Sequence, residues 1–180
     1  MHYAVTGGIA GGKSWFCDKL RRHGNPVYSC DEAAKRIIRT NLDVRRGLTA
    51  LVGDELYAST GELQKKVLAA YLTASQENAA RVNALVHPRV AEDYLQWKQT
   101  QQSQHTFMEC ALLFEAGFER LVDRIIYIHA HENLRLKRLM LRDGITAEQA
   151  RRWMNLQMPE EEKQRRADIV IDNNQQQNLC

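Results

Sequence analysis

The sequence lacks the features that mark membrane, exported and disulfide-linked proteins. No apolar run approaches the ~18 residues of a membrane-spanning helix, and no basic segment followed by an apolar one opens the chain, so we expect neither a membrane span nor export. Cysteine is scarce and never forms C-x-x-C, which favours reduced thiols and a cytoplasmic location. The four cysteines are Cys17, Cys30, Cys110 and Cys180.

The sequence also has little excess of one charge sign over the other. A formal net charge of +3 does not require nucleic acid as a partner, and no internal repeat is present. The 44% share of hydrophobic residues is enough for a core in a chain of 180 residues, so we expect one globular domain over residues 1–180.

Glycine is concentrated at one place, between Gly7 and Ser14. The segment reads Gly-Gly-Ile-Ala-Gly-Gly-Lys-Ser, fits the phosphate-loop pattern G-x-x-x-x-G-K-[ST] and follows an apolar run at 3–5. Glycines let consecutive backbone N–H groups curl around phosphate oxygens, and the following helix points its positive end at the anion. We expect Lys13, at the surface of the loop, to reach the β and γ phosphates of a nucleotide and Ser14 to bind Mg²⁺; the alternative is a turn that binds nothing. The residues expected to bind the nucleotide are Gly8, Ala10, Gly11, Gly12, Lys13, Ser14 and Trp15.

Strands and helices alternate around this loop, which predicts a parallel sheet covered on both faces. With the phosphate loop, the pattern predicts a three-layer α/β fold with a five-stranded parallel sheet of the P-loop NTPase and kinase type. The stretch 173–178 contains only Asn and Gln and is expected to be loose. The predicted strands are 3–6, 26–30, 106–111, 124–129 and 168–172, and helices are predicted at 13–23 and 31–39.

The middle of the chain has no clear strand. Helical patterns cover 63–75, 76–86 and 88–102, and Pro88 fits the first turn of the last of these. We therefore expect a helical insertion over about 40–104, between the second and third strands.

Two acids follow predicted strands at the edge of the sheet where ligands bind in such folds. Asp31 could accept the proton of an attacking hydroxyl group, and the alternative is that it caps the following helix. Glu109 could help to hold Mg²⁺, and the alternative is an ordinary edge carboxylate.

Basic residues crowd the segment after the fourth strand. Arg135, Arg138 and Arg142 are spaced i, i+3 and i+7, which predicts a stripe of guanidinium groups on one helix face. Such a stripe is usually solvated, but planar guanidinium groups also stabilise the charge of a transferring phosphoryl group. Because Gly144 breaks this helix before another begins, we expect a helical lid over about 132–158.

Together these segments resemble the dephospho-CoA kinase family from Thr6 to Asn173, nearly the whole chain. Residues 6–14 are similar to the family's T-G-G-I-G-S-G-K-S, and Asp31 falls on the second acid of its D-A-D. Further matches are His87-Pro88, the L-L-F-E of 112–115, Arg138 with Leu139 and Arg142, the Q-M-P of 157–159, and the A-D-x-V-I-D-N of 167–173.

The resemblance implies a kinase that transfers the γ-phosphoryl group of ATP, with Mg²⁺, to the ribose 3′-hydroxyl of dephospho-CoA, the last step of CoA biosynthesis. It implies Asp31, Lys13, Arg138 and Arg142 as catalytic residues and Asp31, Lys35 and His87 as acceptor-binding residues. ATP and dephospho-CoA are the expected partners, with no nucleic acid and no membrane.

The chain also differs from the family's pattern. Ser29 replaces the first acid of D-A-D, Glu109 stands where Asp is usual, and Trp15 where a small hydroxyl residue is usual. Two other functions therefore stay open: a P-loop kinase of another small hydroxyl acceptor, such as a nucleoside or a shikimate-like compound, and a nucleotide-binding regulator without catalysis. A GTP switch is disfavoured because no N-K-x-D or D-x-x-G occurs.

Overall fold

The computed structural model describes residues 1–175, and within them it forms one parallel sheet of five strands. The sheet order is β2-β3-β1-β4-β5, and every neighbouring pair is parallel. The five predicted strands are confirmed, with ends that differ by at most two residues. The strands are β1 (His2–Thr6), β2 (Val27–Ser29), β3 (Thr106–Glu109), β4 (Arg124–His129) and β5 (Ile169–Asp172).

Helices and sheet form two compact units. Among the described residues, one unit contains 1–29 and 98–175, with the whole sheet, and the other is Cys30–Trp97. The helical insertion predicted over about 40–104 stays a prediction. The helices are α1 (Lys13–Arg22), α2 (Cys30–Thr40), α3 (Leu42–Val52), α4 (Lys65–Ala74), α5 (Gln76–Gln99), α6 (Glu132–Asp143), α7 (Ala147–Met154) and α8 (Glu160–Arg165).

The strand order places the carboxyl end of β1 at the middle of the sheet. From β1 the chain builds β2 and β3 on one side and then crosses to β4 and β5 on the other. The register aligns Val5 with Glu109 of β3 and Thr6 with Tyr127 of β4, so these strands end at one edge. Ligands of open parallel sheets bind at such a change of direction.

The core of the sheet unit lies between α1 and the strands. Val5, Phe107, Ile126 and Ile128 are buried there around Cys17 of α1. Burial raises the pKa of the Cys17 thiol to about 12, with a further contribution from the nearby carboxylate of Glu109, so the thiol stays protonated. The free buried thiols of the described residues are Cys17, Cys30 and Cys110, and Cys180 lies outside the described residues.

The helical unit contains one helix that the sequence pattern did not predict. Asn41 caps α3 by accepting a hydrogen bond from the Val44 N–H at 3.0 Å. Gly47 lies inside this helix and weakens its sequence signal, since glycine is an unfavourable helix residue. Its lack of a side chain is used in packing, because a Cβ there would lie 2.9 Å from Leu85.

The predicted break at Pro88 is wrong: α5 continues through this residue. A proline inside a helix removes a hydrogen bond and costs roughly 3 kcal/mol. One face of α5 nevertheless buries Val82, Val86, Val90 and Tyr94, at spacings of four residues. Burial of each such side chain contributes roughly 1.5–3 kcal/mol, so the continuous face outweighs the proline.

The predicted loose stretch at 173–178 begins with an ordered contact. Asn173 is buried, and its side-chain amide donates to the carbonyl oxygen of Gly11 at 2.9 Å. The prediction is therefore wrong for Asn173, and residues 176–178 lie outside the described residues.

Within residues 1–175, none of the helices combines the length and the apolar character needed to cross a membrane.

Candidate phosphate-binding site

The predicted phosphate loop connects β1 to α1 at the middle of the sheet. The N–H of Gly11 donates to the Gly8 carbonyl oxygen at 3.0 Å, which closes a tight turn inside the loop. Ala10 takes a left-handed conformation in this turn, with φ of 59°, a conformation that costs roughly 1–2 kcal/mol for a residue with a Cβ. Gly12, with φ of 100°, is the residue before the first turn of α1. The loop therefore leads directly into a helix N-terminus, where backbone N–H groups favour an anion.

Lys13, the first residue of α1, is buried rather than at the surface. Its side chain is 9% exposed, and its ammonium group donates to the carbonyl oxygens of Gly7 at 3.0 Å and Gly8 at 3.1 Å. The expectation of a surface lysine is wrong because the side chain turns back onto the loop. A positive charge is consequently fixed at the loop itself.

The two predicted metal ligands lie together. The Ser14 hydroxyl donates to Oε1 of Glu109 at 2.7 Å, and Arg21 lies 3.5 Å from the other oxygen of the same carboxylate. Parallel pairing of β1 with β3 carries Glu109 to the edge where the phosphate loop begins. A hydroxyl and a carboxylate are the oxygen donors that Mg²⁺ prefers, so the pair fits this ion.

Trp15 lies on α1 beside these residues. The ammonium group of Lys19 lies 3.8 Å from the centre of its ring, a cation–π contact. The side chain is half-buried. Its predicted place in a nucleotide site stays a prediction.

The three arginines of α6 have different surroundings, so the predicted uniform stripe is wrong. Arg135 is buried, Arg138 is half-buried with a hydrogen bond to the Asn173 carbonyl oxygen at 3.3 Å, and Arg142 is exposed. Arg142 forms a two-pronged pair with Asp143 at 2.9 and 2.8 Å, which lowers the pKa of that carboxyl group. The guanidinium groups of Arg138 and Arg142 are therefore already paired.

Arg135 instead belongs to a buried group of polar side chains next to Gly8. It lies 3.6 Å from the carboxylate of Glu160, which also accepts a hydrogen bond from the Tyr127 hydroxyl. Burial and this carboxylate raise the pKa of Tyr127, so the tyrosine remains a donor. A Cβ on Gly8 would meet the guanidinium group of Arg135 and would lie within 2.6 Å of the Glu160 carboxylate. Glycine is needed at this position because side chains approach it closely.

The helix pair that was predicted as a lid also has apolar contact with the loop. Leu136 and Leu139 of α6 and Ala150 of α7 form a buried cluster, against which Ile9 and Ala10 pack. Gly144 ends α6 in a left-handed conformation, as predicted, and Thr146 caps α7.

The acceptor-side residues of the prediction lie in the helical unit. Asp31 is the exposed second residue of α2, because the helix begins at Cys30. It is therefore inside the first turn and not at the capping position. Lys35 is exposed and paired with Glu32 at 2.7 Å, and His87 is half-buried on α5.

Comparison with known proteins identifies the family of this chain. The family model described as CoaE, dephospho-CoA kinase, matches residues 1–178. The chain belongs to the dephospho-CoA kinase family. A relative from Bacteroides fragilis named dephospho-CoA kinase is 41% identical over 170 residues, which covers 94% of this chain and 82% of the relative.

Solved structures also show the dephospho-CoA kinase fold. The chain matches a dephospho-CoA kinase from Campylobacter jejuni with a TM-score of 0.71 and 28% identity, over 98% of this chain and 89% of the other. It matches the TT1252 protein from Thermus thermophilus with a TM-score of 0.84 and 30% identity, over 97% and 88%. The predicted P-loop kinase fold is confirmed.

Several residues at the loop of this family member were not predicted as functional. Gln157 accepts a hydrogen bond from the Ile9 N–H at 3.2 Å. Glu160 lies against Gly8, and Asn173 donates to the Gly11 carbonyl oxygen. Gln157 and Asn173 lie in segments that match the family pattern, and this match is the sequence signal that could have indicated a role for them. Their role depends on contacts with residues far away in sequence, which periodicity does not reveal.

A cavity of about 610 Å³ opens beside these contacts. Arg135 and Glu160 line it together with Arg151 and Glu132, so its wall carries both signs of charge. The side chains that approach Gly8 therefore also form part of the cavity wall.

Substitution of Gly8 by alanine tests this close approach. We expect the free energy of unfolding to fall by about 1–3 kcal/mol, because the new methyl group displaces the buried Arg135–Glu160 pair. Urea unfolding of wild-type and Gly8→Ala protein measures the change.

Gly24→Asn is the control, since no atom lies within 4 Å of a Cβ at Gly24 and Asn tolerates its left-handed conformation. Equal stability of Gly8→Ala and wild type would show that the pair does not confine the loop.

Proposed function

We propose that this chain transfers the γ-phosphoryl group of ATP to the ribose 3′-hydroxyl of dephospho-CoA. One observation carries the proposal: the phosphate loop, with Lys13 bound to it, lies next to a Ser14–Glu109 pair with 2.7 Å between oxygens. Family membership supports the identity of the acceptor. The two other functions left open by the sequence rest only on the departures at Trp15, Ser29 and Glu109.

The loop and the first turn of α1 bind the phosphates of ATP. The N–H groups of Gly12, Lys13 and Ser14 and the ammonium group of Lys13 hold the phosphates of ATP, and Lys13 leaves carbonyl oxygens of the loop to do so. The N–H groups of Ile9 and Gly11 shape the loop instead, because they donate to Gln157 and to the Gly8 carbonyl oxygen. Ser14, with Glu109, holds Mg²⁺. When bound, this ion neutralises charge on the phosphate oxygens. No group of three or more His, Cys, Asp or Glu side chains able to hold a metal occurs in residues 1–175, and Mg²⁺ sites of kinases are completed by substrate phosphates and water.

The acceptor side is assigned to the helical unit. Asp31 orients the 3′-hydroxyl group and accepts its proton as the oxygen attacks phosphorus, while Lys35 and His87 bind the acceptor. Exposure of Asp31 leaves its carboxylate accessible to a substrate.

Arg138 and Arg142 are proposed to stabilise the charge that spreads over the transferring phosphoryl group. Their planar, two-pronged donors suit phosphate oxygens. Because Arg142 is bound to Asp143, its neighbour on α6, its side chain has to change rotamer to exchange this partner for the phosphoryl oxygens. A movement of the α6–α7 pair as a lid would bring α6 to the phosphates.

The direct test is an acceptor panel with the purified protein and MgATP. Dephospho-CoA, a nucleoside, shikimate and no acceptor are compared, and ADP, phosphate and each phosphorylated product are measured. We expect CoA only with dephospho-CoA and little free phosphate without an acceptor. Phosphorylation of a different acceptor would support the broader kinase alternative, and ATP binding with no transfer would support the regulator. ATP and dephospho-CoA as substrates without nucleic acid or membrane as partners, and the cytoplasm as the location, stay predictions.

A conservative change in the lid tests the arginine role. Arg138→Lys keeps the positive charge but loses the planar fork, so we expect kcat to fall by about tenfold or more, with a smaller change in the Kd for ATP. Steady-state kinetics and equilibrium nucleotide binding provide the two values.

Arg152→Lys is the matched control, since Arg152 is exposed and paired with Glu148 on α7.

Hydrogen exchange over 135–152 is expected to slow only when dephospho-CoA and an unreactive ATP analogue are both present. Wild-type kinetics for Arg138→Lys with unchanged exchange would contradict the lid.

A further inference from the structure

Helix α8 buries a lysine whose charge has no place in the mechanism above. Lys163 is 0% exposed, and its ammonium group lies 3.3 Å from Oε1 of Glu115. It also lies 3.5 Å from the Ala111 carbonyl oxygen and 3.4 Å from Oε1 of Gln157. A buried ammonium group is costly unless it is paired, so these three acceptors explain how the charge is tolerated.

The Gln157 side chain connects this buried charge to the phosphate loop. Its Oε1 accepts a hydrogen bond from the Ile9 N–H at 3.2 Å and lies within hydrogen-bond distance of the Lys163 ammonium group. Both neighbours are donors, so the oxygen and not the NH₂ group of the amide must face them. Lys163 therefore fixes the orientation in which Gln157 accepts from the loop.

Glu115 fixes the adjacent backbone. Its Oε1 accepts a hydrogen bond from the Met158 N–H at 2.9 Å and is the same atom that pairs with Lys163. Glu115 thus holds the main chain at Met158, and Lys163 holds the side chain of Gln157. These two residues form one ion pair. This network ends at Ile9, between Gly8 and Ala10 of the loop.

We propose that Lys163 is a positioning residue for phosphoryl transfer, acting through Gln157 on the Ile9 N–H of the phosphate loop. The inference rests on the proposed function and adds a residue that touches no substrate. Lys163 orients the Gln157 amide, and this amide sets the direction of the Ile9 peptide group. The direction of that peptide group in turn sets the backbone conformation of the loop residues that follow. Stabilisation of a transferring phosphoryl group depends on placement of donors more steeply than ground-state binding does. Loss of Lys163 is therefore expected to affect kcat more than the KM for ATP.

The rival explanation is that the ion pair only stabilises α8. Lys163→Met alone does not separate the two, because it leaves the Glu115 charge without its partner and can unfold the protein. The double variant Lys163→Met/Glu115→Gln removes both charges, and its glutamine can still accept from the Met158 N–H. Gln157→Leu removes the connecting oxygen and keeps the ion pair.

Kinetics with MgATP and dephospho-CoA test the inference in wild-type, Lys163→Met/Glu115→Gln and Gln157→Leu proteins. We expect kcat to fall at least about tenfold in both variants, with the KM for ATP within about threefold of wild type. NMR exchange of the Ile9 amide proton is measured in the same proteins and is expected to accelerate in both. The matched control is Arg165→Met/Glu162→Gln, which removes an ion pair of 2.6 Å within α8 that does not reach the loop. It is expected to keep wild-type kcat and Ile9 exchange.

Folded variants with wild-type kcat, or with unchanged Ile9 exchange, would overturn the positioning role while the wild-type activity still supports the proposed function. Absence of CoA formation by the wild-type protein would instead overturn the proposed function itself.

Discussion

Replacement of Lys13 by alanine is expected to lower kcat for CoA formation by about 10²–10³-fold. The physical reason is that Lys13 supplies the one ammonium group seen bound to the phosphate loop in the described residues, and preorganised charge there stabilises the transferring phosphoryl group. Because Lys13 is buried, we also expect a loss of about 1–3 kcal/mol in the free energy of unfolding, as the Gly7 and Gly8 carbonyl oxygens lose the ammonium donor.

The assay must therefore be made below the melting temperature of the variant, with thermal unfolding followed in parallel. Lys137→Ala is the control, since Lys137 is an exposed lysine of α6. Substantial activity in folded Lys13→Ala would exclude the loop lysine from the mechanism.

The second large effect is expected for Asp31→Asn, with a fall in kcat of about 10²–10⁴-fold and little change in the KM for ATP. An amide cannot accept the proton of the 3′-hydroxyl group, but it keeps the size of the side chain. Initial rates at varied ATP and varied dephospho-CoA give the two parameters.

Glu77→Gln is the matched control, because it neutralises an exposed carboxylate in the first turn of another helix of the same unit, where Glu77 is bound to Arg81. Asp31 also lies in the first turn of α2, where a negative charge stabilises a helix by typically 0.3–1 kcal/mol. A variant that turns over at the wild-type rate and only melts at a lower temperature would assign Asp31 to helix stability.

The sheet could be predicted from sequence because its strands are short apolar runs bounded by turn residues. The two missed helices had weak local signals: α3 contains Gly47, and α8 is six mostly charged residues. Helix α5 was divided at Pro88 because local propensity weighed more in the prediction than the long buried face that tertiary packing provides.

The site shows the same division between local and long-range information. Ser14 and Glu109 could be placed together because parallel strands end at one edge, and the loop motif is local. The buried positions of Lys13 and Arg135 could not be predicted, since each depends on where its side chain turns after folding. Lys163 was missed because its partners are contributed by separate segments of the chain.

The central claim is that the phosphate loop binds ATP for transfer of its γ-phosphoryl group to one hydroxyl group of dephospho-CoA. The most direct measurement is the product formed from MgATP and dephospho-CoA, with ADP counted and the phosphorylated position assigned by phosphorus and proton NMR. We predict one ADP for each CoA, with the new phosphate on the ribose 3′-oxygen. ADP formed without a phosphorylated acceptor, or a phosphate on any other atom, would contradict the account.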